Sequence, residues 1–294
     1  MGETELRVRF FGVRGSTPCS APDQNRYGGA TSCVVVEPTG ADPIILDAGT
    51  GIRRYGLEVI DQEPDGYRAS ILLSHLHWDH IQGMPFFSPL HVEGTEINLY
   101  GPGDCGKSFK KLVHKLMRPP FFPITPSEVK ASLKLHQLDV GDLSIGDTKV
   151  RTRHIPHTGC TNGYRIDHHG VSIAFVPDHQ QPVDRPTFVD EQVLDLCDGV
   201  DLLIHDAQFT EDEFAARDDW GHCTAAYALE VARQSGARSL ALFHHDPFHN
   251  DIQVDEILAA TQASSPSGLE VFAAASGLDI DLSVNAEPAI FGDS

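Results

Sequence analysis

The sequence predicts a layered α/β architecture, and three observations carry that expectation. The first half is dense in short runs rich in Val, Ile, Leu and Phe, cut by Gly, Pro and Asp. From about residue 200 short apolar strands alternate instead with helical patterns. No repeat period or low-complexity linker divides the 294 residues, so a single domain spanning 1–294 is expected.

Taken in order, "LRVRFFGV", "SCVVVE", "PIILD", "SILLS", "EINLY" and "KVRTRHI" read as strands between turn residues. "GYRID" and "VSIAFV", joined by "HHG", read as a hairpin. "DLLIHD" is a strand before a helix near 210–217, and "CTAAYALEVARQSG" is a helix ending at Gly236. "SLALFHHD" runs from strand to polar turn, and "DIQVDEILAATQAS" is the last good helix. The tail after about residue 283 is interrupted by Pro and Gly and is expected to be loosely held. Residues 106–118, "GKSFKKLVHKLMR", place Phe109, Leu112, Val113, Leu116 and Met117 at helical spacing. Lys107, Lys110, Lys111, Lys115 and Arg118 fill much of the remainder with no acid among them. Such a face is either simply solvated or a patch that steers phosphate.

Composition narrows the classes. With 40% hydrophobic and 22% charged residues, the chain is expected to bury an ordinary globular core. No apolar run approaches the roughly 20 residues that span a membrane. The N-terminal "MGETELRVRFFGV" enters a strand pattern without an apolar signal segment, so the cytoplasm is expected and no membrane partner. Cys19, Cys33, Cys105, Cys160, Cys197 and Cys223 are scattered without a CxxC pair and read as reduced thiols. A formal charge of −20 disfavours broad nucleic-acid binding, which depends on cationic phosphate contacts. Histidine is the unusual count, at 16.

Those histidines gather at strand ends. "SHLHWDH" puts His75, His77 and His80 within six residues, with Asp79 between the last two. A core would not choose that crowd, because each buried polar ring needs a partner; a metal would. On an extended segment His75 and His77 share one side. Further candidates are His154 and His157 in "RHIPHTGC", Asp178 after "VSIAFVP", His222 in "DDWGHCTA", and His244 with His245 in "LALFHHDP". Imidazole and carboxylate donors suit zinc, iron or manganese. His114, His136, His168, His169 and His249 read as surface residues.

"HLHWDH" resembles the HxHxDH signature of the metallo-β-lactamase fold hydrolases. "GVRGSTP", "RYGGATSC", "LDAGTGIR", "SHLHWDHIQGMPFF", "HTGCTNGYRI", "VPDHQ", "LLIHDAQFT", "GHCTA" and "LFHHDP" are similar to its phosphodiesterase-like branch in the same order. That branch includes ribonuclease Z and the phosphonate-pathway phosphodiesterases. The resemblance implies a four-layer αββα sandwich and two divalent metals, zinc first, with manganese or iron as options. It puts His75, His77 and His157 on one metal, Asp79, His80 and His244 on the other, and Asp178 between them. It favours His157 over His154 and His244 over His245, which becomes a supporting residue with Asp47 and Asp206. Asp79 and His222 are the catalytic candidates. His222 resembles the family histidine that stabilises or protonates the leaving oxygen; a helix-cap neighbour is its plainer reading.

The departures are "HTGC" and "PDHQ", where "HPGG" and "TD" are commoner, and Cys223, where Ser is commoner beside the histidine. Cys160 and Cys223 lie near the proposed site, and a thiolate can bind zinc; with Asp178 filling the bridge, neither is needed. The implied reaction is hydrolysis of a small phosphodiester, a cyclic nucleotide or cyclic phosphate, by a hydroxide held between the metals. Transfer-RNA 3′ processing is the alternative, opposed by the charge and by the lack of a long Gly/Pro-rich arm. Opening of a lactam, lactone or thioester is the other alternative. A di-iron redox role is disfavoured, since position 77 is His where those members carry Glu. Relatives of this branch are often homodimers.

Overall fold

The structure, a computed structural model, describes residues 3–104, 106–284 and 288–292; Cys105 and part of the tail lie outside the described residues. The first sheet collects β1 (Leu6–Gly12), β2 (Cys33–Pro38), β3 (Ile44–Leu46), β4 (Arg68–Leu72), β5 (Glu96–Gly101) and β6 (Ser132–Gln137). Helices α1 (Ile52–Gln62), α2 (Trp78–Ile81) and α3 (Phe109–Leu116) run between its strands. The second sheet takes β7 (Gly141–Ile145), β8 (Thr148–His154), β9 (Asn162–His168), β10 (Val171–Val176), β11 (Leu202–Asp206), β12 (Ser239–Phe243) and β13 (Glu270–Ala273). Its helices are α4 (Glu191–Cys197), α5 (Glu211–Ala216), α6 (Ala225–Ser235) and α7 (Asp251–Ser264). The chain then returns to the first sheet as β14 (Leu278–Leu282) and β15 (Ala289–Gly292).

Strand alternation sorts the side chains into layers. In β2, Val34 and Val36 face the other sheet, while Cys33 and Val35 face helices. In β10 all six residues are buried: Ile173 and Phe175 lie between the sheets, and Ala174 and Val176 lie under the helices. Ile52, Tyr55 and Val59 of α1 and Phe109 and Val113 of α3 cover the first sheet. Val193 of α4 and Ala228 and Val231 of α6 cover the second. The result is the expected order of helix, sheet, sheet, helix. Phe175 sits in its middle with no exposed surface, between Ile173 and Phe243. A Phe175→Ala variant is therefore expected to lose about 3–5 kcal/mol of stability by urea unfolding. Phe248→Ala, at a side chain 82% exposed, should stay within about 0.5 kcal/mol.

Several elements depart from the sequence expectation. The helix expected over 106–118 spans only Phe109–Leu116, because Ser108 sits at its N-cap and Met117 at its C-cap. The tail is not wholly loose: Ala289–Gly292 pairs antiparallel with β14. Its side chains are exposed, so the ladder alone holds it. The edge strands β6 and β7 were not expected, since neither buries a continuous apolar face. His168 and His249 are buried rather than surface residues. His168 reaches the Thr148 hydroxyl at 2.9 Å and the Thr39 carbonyl at 3.2 Å, while His249 pairs with Glu213 at 2.8 Å.

Strands β10, β11 and β12 are mutually parallel and β9 is antiparallel to β10. The C-terminal ends of three strands and the start of a fourth therefore meet at one edge. That is the edge where an open α/β sheet presents functional side chains.

Candidate metal centre

His75 and His77 lie just past β4, and the chain bends at His77 into α2, which carries Asp79 and His80 in its single turn. His157 lies between β8 and β9, Asp178 two residues past β10, and His244 directly after β12. The loops are tied across the sandwich: Asn162 N–H donates to the Ser74 carbonyl at 2.8 Å, and Tyr164 donates to Leu73 at 2.6 Å.

Two groups of donor atoms result. In the first, His157 Nε2 is 3.3 Å from His77 Nδ1 and 3.5 Å from Asp178 Oδ2, which is 3.7 Å from His75 Nε2. In the second, Asp79 Oδ2 is 3.2 Å from both His80 Nε2 and His244 Nε2. Asp178 Oδ1 faces those same two nitrogens at 3.1 and 3.4 Å. Asp178 thus offers one oxygen to each group.

The donors fit divalent metals on three grounds. Ligand atoms placed about 2.0–2.1 Å from a tetrahedral ion stand roughly 3.3–3.4 Å apart, close to the spacings seen. Buried His75 Nε2, His80 Nε2 and Asp178 Oδ1 have no hydrogen-bond partner, a costly state unless something else satisfies them. Third, charge is missing. Burial pushes the His75 imidazole well below its ordinary pKa, leaving it neutral and able to donate a lone pair. Burial acts the same way on His80, but Asp178, Asp79 and Asp47 outweigh it and hold its proton. Those carboxylates call for a cation, and a metal would displace that proton.

Partners fix each ring. Asp47 accepts from His80 Nδ1 at 2.6 Å, from the Ser74 and Ser32 hydroxyls, and from Ser74 N–H. It does so from a left-handed backbone, φ +62, as His244 does at +59 and Ser16 at +60. His157 Nδ1 donates to the Gly221 carbonyl at 2.6 Å. Only glycine serves there, since φ is +94 and a Cβ would lie 2.4 Å from that ring. Sequence reasoning missed Gln208, whose Oε1 accepts from His244 Nδ1 at 2.9 Å, and Ser16, whose N–H donates to Asp79 Oδ2 at 2.7 Å. The signal available was the position of both residues inside recognisable motifs, "HDAQF" and "GVRGSTP". A Cβ at Gly15 would stand 2.3 Å from His244 Nδ1, so this loop presses directly on the ligand.

His222 completes the edge. Its Nδ1 lies 3.0 Å from Asp206 Oδ2 and 3.9 Å from Asp178 Oδ2. Burial alone would push the imidazolium down, but Asp206, helped by Asp178 and Asp79, carries it up to about 9. Asp206 is itself fixed by His179 N–H at 3.0 Å and Gln208 N–H at 2.9 Å. Asp206 therefore supports the site through His222. With Nδ1 engaged, Nε2 is left without a partner among the described residues.

The remaining candidates fall elsewhere. His245 does not support the donor groups: its Nε2 donates to the Ala274 carbonyl at 2.9 Å and its ring meets Tyr27 edge-on. Cys223 Sγ donates to the Asp206 carbonyl at 3.0 Å and is fully buried, so it packs behind His222. Cys160 is exposed. His154 is the last residue of β8 and belongs to neither donor group.

A family model described as a Beta-lactamase superfamily domain matches residues 43–245. Ribonuclease Z of Haloarcula marismortui is 26% identical over 291 residues, covering 81% of this chain and 86% of that protein. The metallo-beta-lactamase fold protein YhfI from Bacillus subtilis superposes with a TM-score of 0.70 at 20% identity, covering 94% of this chain and 99% of that one. Human tRNase Z, short form, superposes with a TM-score of 0.66 at 20% identity, covering 95% and 100%. The two structural likenesses speak to the fold.

Proposed function

The chain belongs to the metallo-β-lactamase superfamily and is a metal-dependent hydrolase, and from that premise we propose that it cleaves a small phosphodiester such as a cyclic nucleotide or cyclic phosphate. One observation carries the choice of reaction: His222 is held by Asp206 at 3.0 Å and lies 3.9 Å from Asp178, at the edge of the donor groups, and Asp206 favours its protonated form. An alkoxide leaving from phosphorus needs that proton.

We assign two metals, zinc in both places, to His75, His77, His157 and Asp178 on one side and Asp79, His80, His244 and Asp178 on the other. When bound, such ions acidify water and neutralise charge on phosphoryl oxygens. The protein's own residues do the rest. Asp47, Gln208, Ser74 and the Gly221 carbonyl engage the far nitrogens of the ligand imidazoles and so fix which nitrogen faces inward. Ser16 N–H fixes Asp79. Asp206 keeps the His222 proton on Nδ1 shared with its carboxylate, so Nε2 is the nitrogen that gives a proton to the leaving oxygen. The whole chain acts as one domain in this reading, in the cytoplasm.

Transfer-RNA 3′ processing is the second reading, favoured by the relatives named ribonuclease Z. A formal charge of −20 weighs against it, because a polyanion loses counterions only to cationic surface. The test is a metal analysis of the purified protein coupled to a substrate panel: cyclic nucleotides, bis(p-nitrophenyl) phosphate, precursor transfer RNA, nitrocefin and a homoserine lactone. Turnover of cyclic diesters above all others is expected. Efficient cleavage of precursor transfer RNA with inert cyclic nucleotides, or preference for a carbonyl substrate, overturns the reading.

A further inference from the structure

Beside the donor groups lies a cavity of about 430 Å³ whose inner wall is His75 and His77. Two further segments line it. One is α3, which contributes Leu112, Lys115 and Leu116; the other is the turn after His157, which contributes Gly159 and Cys160. The helix can do this because Phe109 and Val113 anchor its other face in the core. Residues 112, 115 and 116 then fall together by their i, i+3, i+4 spacing. Leu76 and Pro102 add to walls that are largely hydrocarbon, with Asp104 and Thr158 as further polar lining. The basic helix therefore meets the site with its leucines and Lys115, which is exposed like Lys110 and Lys111 but lies at the cavity's lining.

A phosphate alone has no use for hydrocarbon walls a few ångströms from metal ligands. Apolar lining with a few polar groups, at the small end of ligand-pocket volumes, suits a compact ring system. We propose that this cavity seats the flat heterocyclic or aromatic substituent of one ester arm, with Lys115 answering the phosphate's charge. The substrate class is then a nucleoside-type diester rather than a diester of two small alkyl groups. This rests on the phosphodiester reading above.

The test fills the cavity from each side in the metal-loaded protein. Leu116→Trp acts from the helix, and Cys160→Trp acts from the exposed turn, where folding is not at stake. The two diesters compared are 3′,5′-cyclic AMP and glycerol 1,2-cyclic phosphate, which lacks a ring. In both variants the ratio of kcat/KM for cyclic AMP over the glycerol diester is expected to fall about tenfold, the scale of one lost base-stacking contact. An unchanged ratio in both overturns the proposal. Calorimetric titration with AMP and with ribose 5-phosphate separates the two ideas. If the wild type cleaves neither diester, the phosphodiester reading falls. The ring pocket still stands if AMP binding alone weakens about tenfold in the variants. It falls if AMP binds the wild type and variants alike, or binds none of them.

Discussion

An Asp178→Ala variant is expected to lose both proposed metals and essentially all turnover. The carboxylate is one side chain serving two groups, with Oδ1 toward His80 and His244 and Oδ2 toward His75 and His157. No other described residue spans them. His244→Ala removes a nitrogen from one group only, so it should retain about one equivalent where Asp178→Ala retains little. Turnover of a cyclic diester should fall by more than about 10⁴-fold, past the range of a lost general acid, because water activation disappears with the ions. Metal content by plasma mass spectrometry and initial rates on the same sample check both statements. Retention of about two equivalents by a folded Asp178→Ala protein would sink the bridging assignment.

The second large effect belongs to His222. His222→Ala should keep its metals yet lose about 10²–10⁴-fold in kcat on a diester whose leaving group is an alkoxide. On bis(p-nitrophenyl) phosphate, whose leaving group departs without a proton, the loss should be about tenfold or less. A residue that merely braced the fold would depress both substrates together. Asp206→Asn should reproduce the pattern more weakly, at about 10–100-fold, since the ring stays but its orienting acceptor is weakened. The pH profile carries the sign: the protonated ring is the working form, so wild-type activity falls as pH rises through its pKa. That alkaline limb should be missing from His222→Ala. Equal losses on both substrates would remove His222 from the proton-transfer role.

The sequence made the donor set legible because metal ligands obey local rules. His75, His77, Asp79 and His80 announce themselves by crowding and Asp178 by standing after a strand, while the choice of His157 over His154 and of His244 over His245 came from the family resemblance. What stayed hidden depends on contacts between distant segments. Gln208 meets His244 across 36 residues, and Ser16 meets Asp79 across 63. Neither is unusual where it sits in the chain. His245 misled because its own partner, the Ala274 carbonyl, lies 29 residues away in the chain. His168 and His249 misled because a histidine looks like surface until its buried partner is known. The edge strands β6 and β7 escaped because strands that pack on one side only carry mixed patterns. The basic helix over 106–118 was expected to cover a compact pocket; that its leucines and the turn at 158–160 form the walls stayed hidden for the same reason as Gln208, since those segments are more than 40 residues apart.

Strand β1 has two neighbours of very different age. Its Leu6–Arg9 pairs on one side with β2, some thirty residues on, and on the other with Asp279–Leu282. Arg7 and Asp281, 274 positions apart, share two hydrogen bonds across that seam. During synthesis the first sheet must therefore wait with an open flank until residues 279–282 have left the ribosome. Such a flank is a template for any stray strand, a second nascent copy included. A nonsense codon or nick just before residue 278 would spare every proposed metal ligand and still leave a sticky, unfinished sheet. The vulnerable moment for this protein comes before residues 279–282 are in place, not at its catalytic loops.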